Sequence, residues 1–511
     1  MTRRQLVLAT VVFAGFAAFG AWRSPVPGVN EPHYLCKAKH FSDPSWCELD
    51  FFLNSADAHW VFYALIGPVT RIFSLEQTAW IGRFVVWWAL ALGWVRLSGG
   101  MLSGRFSTVW SSAFFLAAQS TITLSGEWLV GGVEAKSFAY AALFLAIAAA
   151  CRHSMKEAAV AMGVAISLHP VVGGWGVVAL VAALFSQWMS VRLRGRNSRP
   201  HAAMPFSKRR LILTAAACLG CALPGLIPAV VILLQRPSVD RGRIADQIQV
   251  FERLDHHLDP AQFPVTAYVV YAGLLGAWLL LRRAIDQNAA ERLFARFVAV
   301  TLAIAVAGLA IGFGIRSASL MKFYPFRLFD VFLPIATSIV AAAALERLVS
   351  RMPEGYGKLA TAMGHALAGA ALLWGLAAPG RIPNPSGYTR FPETWPAFIE
   401  ACAWIDGNTP PKALVLTPKS NVGFKWYARR AEYVTWKDCP QDAAGILQWK
   451  ARLNRIARWR AESLTNGISE IALAGLYRET GVDYMLTWTG EESSCKPVYR
   501  NRSFSVYRVL P

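Results

Sequence analysis

Apolar residues in this chain gather into runs too long and too continuous for half-buried strands. They occupy about 5–22, 79–95, 107–125, 136–151, 157–169, 171–189, 211–235, 266–281, 295–314, 328–345 and 359–378. A run near twenty residues matches the hydrocarbon thickness of a bilayer. The pattern predicts a mainly α, polytopic membrane protein with about eleven spans. Two segments test the count. The stretch 58–75, "AHWVFYALIGPVTRIFSL", carries Pro68 and Arg71, and if it crossed, every later basic loop would change sides. It is therefore expected to lie along the outer surface as an interfacial helix. The stretch 157–189 has basic flanks at both ends, which calls for an even number of crossings. A hairpin is expected there, broken at "LHPVVGGW" by Pro170, Gly173 and Gly174, next to His169.

Beyond about residue 380 the apolar runs shorten, and Pro, Trp and charged residues rise. The expected division is a membrane domain over 1–379, with a long first outer loop at about 23–78, and a soluble α/β domain over 380–511. Within the latter, "WPAFIEACAWIDG" reads as a helix and "ALVL" as a buried strand. "AEYVTW", "VDYMLTW" and "SFSVYRV" read as further strands, and "QDAAGILQWKARLNRIARWRAESL" as a long amphipathic helix.

Composition and charge sharpen this picture. Of 511 residues, 55% are hydrophobic and 12% aromatic, and the net charge is +20. Such a charge can mark a nucleic-acid partner, but with the N-terminus inside, the cytoplasmic loops collect the excess of Lys and Arg and the outer loops come out near neutral. That is the positive-inside asymmetry. The basic run 191–210 joins two spans and has almost no aromatics to stack on bases, so a topological role is favoured and no nucleic acid is expected. The first run could be a signal peptide, but its length and the spans that follow favour a retained anchor. An odd number of crossings places the C-terminal domain outside, in the extracytoplasmic space of a plasma (inner) membrane. Eight cysteines show no metal-ligand spacing; Cys36 and Cys47 share the first outer loop and are equally compatible with a disulfide and with free thiols.

Sorting polar residues by side puts the candidate chemistry outside. Glu31 follows the first span directly, before Pro32 and Tyr34. A carboxylate there can deprotonate an acceptor hydroxyl or hold a metal, with His33 assisting, or can be a solvated loop acid. Glu127 and Glu134 either line the same cavity or are snorkelling span ends. Arg327 and Asp330, three residues apart, share one helix face at the mouth of a span. They form a mutual ion pair or, with Lys322 and Arg316, a phosphate grip. His256 and His257 are loop histidines, and His169 at the hairpin break is either a cavity donor or a satisfied core residue. Trp426, Tyr427, Tyr433 and Trp436 could stack on sugar rings, with a core role favoured.

An acidic motif straight after the first span, a long outer loop, about eleven spans and an outer soluble domain together resemble the GT-C class of membrane glycosyltransferases. The "NEPHY" of 30–34 is similar to the Asp-Glu-x-x-Tyr-type motif of protein mannosyltransferases and aminoarabinose transferases, with Asn30 in place of the first acid. The "WIDGNTPPKALVL" of 404–416 is similar to the stretch that opens the C-terminal domain of oligosaccharyltransferase catalytic subunits. Their Trp-Trp-Asp-Tyr-Gly element is missing, which counts against a protein-asparagine acceptor. The whole chain also resembles a bacterial family of multi-pass membrane proteins to which no activity is assigned.

The resemblance implies an inverting transfer of sugar from a polyprenyl-phosphate donor to an extracytoplasmic acceptor, with membrane lipid as a partner. It implies Glu31 as base or metal ligand, Asp57 as second carboxylate, Arg327 and Lys322 on the leaving phosphate, and His33 and His169 as further donors. A divalent Mg or Mn ion is compatible with that scheme but not required by it. Two other readings compete: a transporter or flippase of an anionic lipid or sugar, for which only one broken helix pair is visible, and a non-catalytic scaffold.

Overall fold

The computed structural model describes residues 2–194, 208–235, 237–378, 392–491 and 493–509. Most of the basic run 191–210 and the boundary expected at 379/380 lie outside them.

All eleven apolar runs are helical. Eight of these helices, among the described residues, are long and apolar enough to cross a membrane, from Arg3–Arg23 to Gly357–Ala377. The chain is a multi-pass membrane protein. The other three runs form the shorter helices Ser107–Thr121, Ala135–Cys151 and Met155–Leu168. Each of the three stops beside loop 122–134 or His169, so backbone that would complete a span instead walls a recess. The helix Arg327–Ser350 sits innermost, with 78% of its apolar window buried against 11% for the peripheral Lys208–Leu234.

The expected hairpin is present. Met155–Leu168 ends at His169, and Pro170 opens the next helix. There its missing N–H costs nothing, because the first turn has no intrahelical acceptor for it. The turn is tight enough that a Cβ on Gly173 would lie 2.3 Å from the Ile166 nitrogen. The segment expected at the interface forms the 13-residue helix Trp60–Ile72, which is too short to cross. Gly67 lets it approach the helix Glu31–Ser42, since a Cβ there would meet the Ala38 carbonyl at 2.7 Å.

The C-terminal part contains a five-stranded sheet: β1 Leu414–Leu416, β2 Ala431–Glu432, β3 Tyr484–Trp488, β4 Tyr499–Arg500 and β5 Phe504–Arg508, in the order β2-β1-β3-β5-β4. β1 runs parallel to β2 and β3, whereas β5 is antiparallel to β3 and β4. The strand expected over "AEYVTW" is only two residues long, and the Glu432 N–H donates to Asp50 in the first loop. Sequence reading missed β4 and the helices Phe424–Ala428 and Glu470–Thr480.

This region does not stand apart from the rest. One apolar cluster joins Cys36, Phe52 and Ile248 to Leu416, Tyr433, Trp449 and Met485. Burial of a shared core fixes the C-terminal part against the first loop. Cys36 and Cys47 are buried in that cluster as free thiols.

Candidate active site

Three carboxylates and one lysine proposed from sequence, Glu31, Asp330, Asp57 and Lys322, turn out to hold the scaffold. Glu31 is fully buried. Its oxygens accept from Arg83 Nε (2.7 Å) and Nη2 (2.8 Å), and from the backbone N–H groups of Gly28 (2.6 Å) and Val133 (2.9 Å). It therefore ties the first loop, the helix Leu75–Ser98 and loop 122–134 together. Asp330 does the same from the other side. Its carboxylate accepts the N–H groups of Leu124 (2.6 Å), Ser125 (2.8 Å) and Glu127 (3.0 Å), and the Tyr271 hydroxyl. It does not pair with Arg327. Asp57 lies 3.4 Å from Lys37, a buried cation that also donates to three first-loop carbonyls. Lys322 pairs with Asp246 at 2.9 Å.

Held between these clamps is a cavity of about 570 Å³. Eight residues singled out from sequence line it: His33, Glu127, Glu134, His169, His256, His257, Arg327 and Trp436. The cavity also exposes Asn30 where the resemblance would place an acid; Glu31, one residue on, points into the protein. Successive helical positions are rotated by about 100°, so one residue separates a cavity group from a scaffold group.

One wall is an alternating charge cluster. Lys136 lies 3.4 Å from Glu127 and 3.3 Å from Glu134, and sits over the Trp128 ring. Arg327 lies 3.3 Å from Glu127, stacks 3.9 Å from the Tyr324 ring centroid and reaches His169 Nε2 at 3.3 Å. Glycine is required beneath this wall: Gly126 has φ +75, and a Cβ there would lie 2.6 Å from the His257 ring. That close approach lets His257 Nδ1 hydrogen-bond the Ser125 carbonyl at 2.5 Å.

The opposite wall comes from Arg253, the last residue of the π-helical turn Ile248–Arg253, and from the C-terminal region through Lys419, Trp436 and Lys437. Asn30 bridges the walls, donating to Glu134 (3.0 Å) and accepting from Lys437 (2.6 Å). His33 stacks on Phe52, and its Nδ1 hydrogen-bonds Asp438 at 2.9 Å. Asp438 is held in turn by Lys425, which also reaches Asp50 (3.3 Å) and Glu432 (3.0 Å).

Burial dominates the electrostatics. It pushes the His33 imidazole below its usual range, against the pull of Asp438. Burial and the nearby Arg253 bring Lys437 down to about 7. Burial alone would raise Asp438, but Lys425 and His33 outweigh it and hold the carboxyl well below its ordinary value.

In total, five cationic side chains, two carboxylates and four histidines face the cavity. Such a surface suits an anion. Among the described residues no three His, Cys, Asp or Glu converge as a metal site, and both cavity carboxylates lie beside Lys136.

Beside the cavity runs an apolar groove of about 230 Å³, lined by Phe62, Leu65, Ile66, Ile81, Val85, Phe138 and Leu168 among others. Leu168 adjoins His169, Phe138 lies two residues from Lys136, and Phe62 packs edge-on to Tyr34. The cationic cavity and the apolar groove thus lie side by side, meeting where Tyr34 packs on Phe62 and where Leu168 precedes His169.

Lys136, Arg253, Lys419 and Lys437 were missed because basic residues at span edges and in a soluble tail read as solvated charge. The usable signal was local: Arg253 lies within the polar stretch "VFERLDHHLDP", and Lys437 between Trp436 and Cys439.

A domain of unknown function (DUF6798) matches residues 396–456. A search of curated protein sequences returns no match. Among solved structures, ArnT from Cupriavidus metallidurans bound to undecaprenyl phosphate is similar over 99% of this chain and 98% of its own, with 14% identity and a TM-score of 0.50. The archaeal oligosaccharyltransferase AglB from Archaeoglobus fulgidus, in complex with an inhibitory peptide and a dolichol-phosphate, covers 95% of this chain and 69% of its own, at 12% identity and a TM-score of 0.42. The first of these likenesses is end to end, and the fold of this chain is the GT-C-like fold that ArnT has.

Proposed function

We propose that this protein is a membrane glycosyltransferase that takes its sugar from a polyprenyl-phosphate donor and passes it to an acceptor at the extracytoplasmic face of the inner membrane. The observation that carries the reading is that the cationic cavity and the apolar groove lie side by side, Tyr34 of one packing on Phe62 of the other. A lipid phosphate is an anion joined to a long hydrocarbon, and few other ligands need both surfaces at once. The groove residues Leu65, Ile81 and Val85 are exposed, as side chains facing lipid would be. ArnT, which has this fold, was solved with undecaprenyl phosphate bound.

In this reading the cations stabilise the charge that develops on the departing phosphate, a preorganised electrostatic effect. A polyprenyl phosphate is a good leaving group and needs little protonation. The C-terminal region supplies one wall of the site, so the soluble part is a component of it and not a cap. Glu31 serves the site by fixing loop 122–134, and the cavity carboxylates Glu127 and Glu134 are the candidates to accept the proton of the acceptor.

Native mass spectrometry of the protein in mild detergent tests this. Wild type is expected to retain polyprenyl phosphates or their sugar conjugates, and Ile66→Asp, which puts a charge in the groove, to lose them. Wild type carrying bulk phospholipid alone, with no uptake of added undecaprenyl phosphate, would contradict the reading.

A further inference from the structure

The five cations of the cavity are not equivalent. On the wall formed by loop 122–134, Lys136 and Arg327 face Glu127 and Glu134, so two positive charges meet two negative ones at 3.3–3.4 Å. An incoming anion gains little there, because it must compete with carboxylates already in place. On the opposite wall Arg253 is 8% exposed and has no carboxylate partner among the described residues. Its Nη2 donates to the Lys437 carbonyl at 2.8 Å, while its buried Nε has no hydrogen-bond partner. Arg327 Nε also lacks a hydrogen bond, but it lies 3.3 Å from Glu127 Oε2; Arg253 lines the cavity with no such carboxylate beside it, so its guanidinium keeps charge and donor capacity for an acceptor atom.

We propose that the phosphoryl group of the ligand is held on this second wall, by Arg253 with Lys437 and His33, and not by the Arg327 cluster. The inference rests on the lipid-phosphate reading above and names the residues that hold its headgroup. Arginine offers a phosphate two parallel donors in fixed geometry. The Lys437 ammonium adds a point charge, and its pull toward neutrality by burial and by Arg253 is relieved when an anion arrives. His33 is locked through Nδ1 by Asp438, which leaves Nε2 as its remaining polar atom for the cavity. All three groups lie on segments that pack on or belong to the C-terminal region, so headgroup binding also couples that region to the membrane part.

The test is binding of undecaprenyl phosphate to the full chain in detergent, for wild type, Arg253→Lys, Arg253→Ala and Arg327→Ala. Thermal unfolding is followed in parallel. The expected result is a loss of roughly tenfold or more for Arg253→Ala, a smaller loss for Arg253→Lys, and the smallest for Arg327→Ala. Should Arg253→Ala fail to fold, acylation of Lys437 in wild type, mapped by peptide mass spectrometry, supplies a second reading: undecaprenyl phosphate is expected to protect it. Inorganic phosphate at millimolar concentration distinguishes the sources: protection and competition by phosphate alone mark a general anion site, and their restriction to the lipid marks a headgroup site fed from the groove. Wild-type binding that is unchanged in both Arg253 variants and lost in Arg327→Ala, or that leaves Lys437 unprotected, overturns the assignment while sparing the lipid-phosphate reading. Absence of binding to wild type overturns both.

Discussion

Glu31 and Glu134 are both buried acids beside the same loop, yet their surroundings differ. Glu31 has four donors on its two oxygens, two of them from one guanidinium. Every lone pair is used, and the group holds three segments in register. Glu134 has the Asn30 amide and the Lys136 ammonium, and it faces the cavity. The same contrast separates Asp330, saturated by backbone N–H groups, from Glu127, whose Oε1 has no hydrogen-bond partner. A buried carboxylate whose acceptor capacity is filled from the protein holds structure, and on the proposed reading the capacity left on Glu127 and Glu134 is what serves the ligand.

Removing a saturated acid is expected to have the largest effect. Glu31→Ala strands the Arg83 guanidinium in a dry interior, and breaking a buried pair this way costs about 3–5 kcal/mol. The predicted outcome is loss of monodisperse protein on size-exclusion chromatography, with or without lipid; a normal elution profile would break the contrast. Asp330→Ala comes next. It leaves three backbone donors of loop 122–134 without their acceptor, at a cost on the order of 3 kcal/mol, read as a lowered thermal midpoint. Arg327→Ala should not reproduce it, because Asp330 and Arg327 are not partners.

A smaller effect concerns pH. Burial and the nearby Arg253 bring Lys437 down to about 7. Its charged form favours an anion, so lipid-phosphate affinity should be highest below pH 7 and fall as pH rises through and above it, and Lys437→Met should flatten this slope. The sign for folding is opposite. The unfolded lysine holds its proton up to about 10.4, so between about 7 and that value the unfolded state binds more protons and stability rises with pH. The smallest expected effect belongs to an exposed pair. Lys412→Ala breaks a 2.9 Å contact with Glu48 at the surface and should shift stability by no more than about 0.5 kcal/mol.

The membrane part was largely legible because hydrophobic length is a one-dimensional signal. Each apolar run became a helix, and Pro170 marked the break that places His169 in the cavity. The three helices that came out shorter than a span mark the recess, and a run length alone does not show where backbone leaves the helix. Site legibility stopped at the scale of one helical step. Charge sorting grouped Glu31 and His33 as neighbours in one loop, but only packing decides that Glu31 turns inward onto Arg83 while Asn30 and His33 face the cavity. The second wall was hidden for a different reason. Lys437 and Asp438 reach His33 and Asn30 across some four hundred residues of chain, a contact no local pattern encodes.

A cryo-EM reconstruction of the full chain with undecaprenyl phosphate tests the central claim most directly. The account predicts a phosphate in the cavity within hydrogen-bond distance of Arg253 and Lys437, with the prenyl chain leaving along the groove past Phe138 and Ile66. A phosphate outside the cavity, or a prenyl chain that leaves by another face, would contradict it.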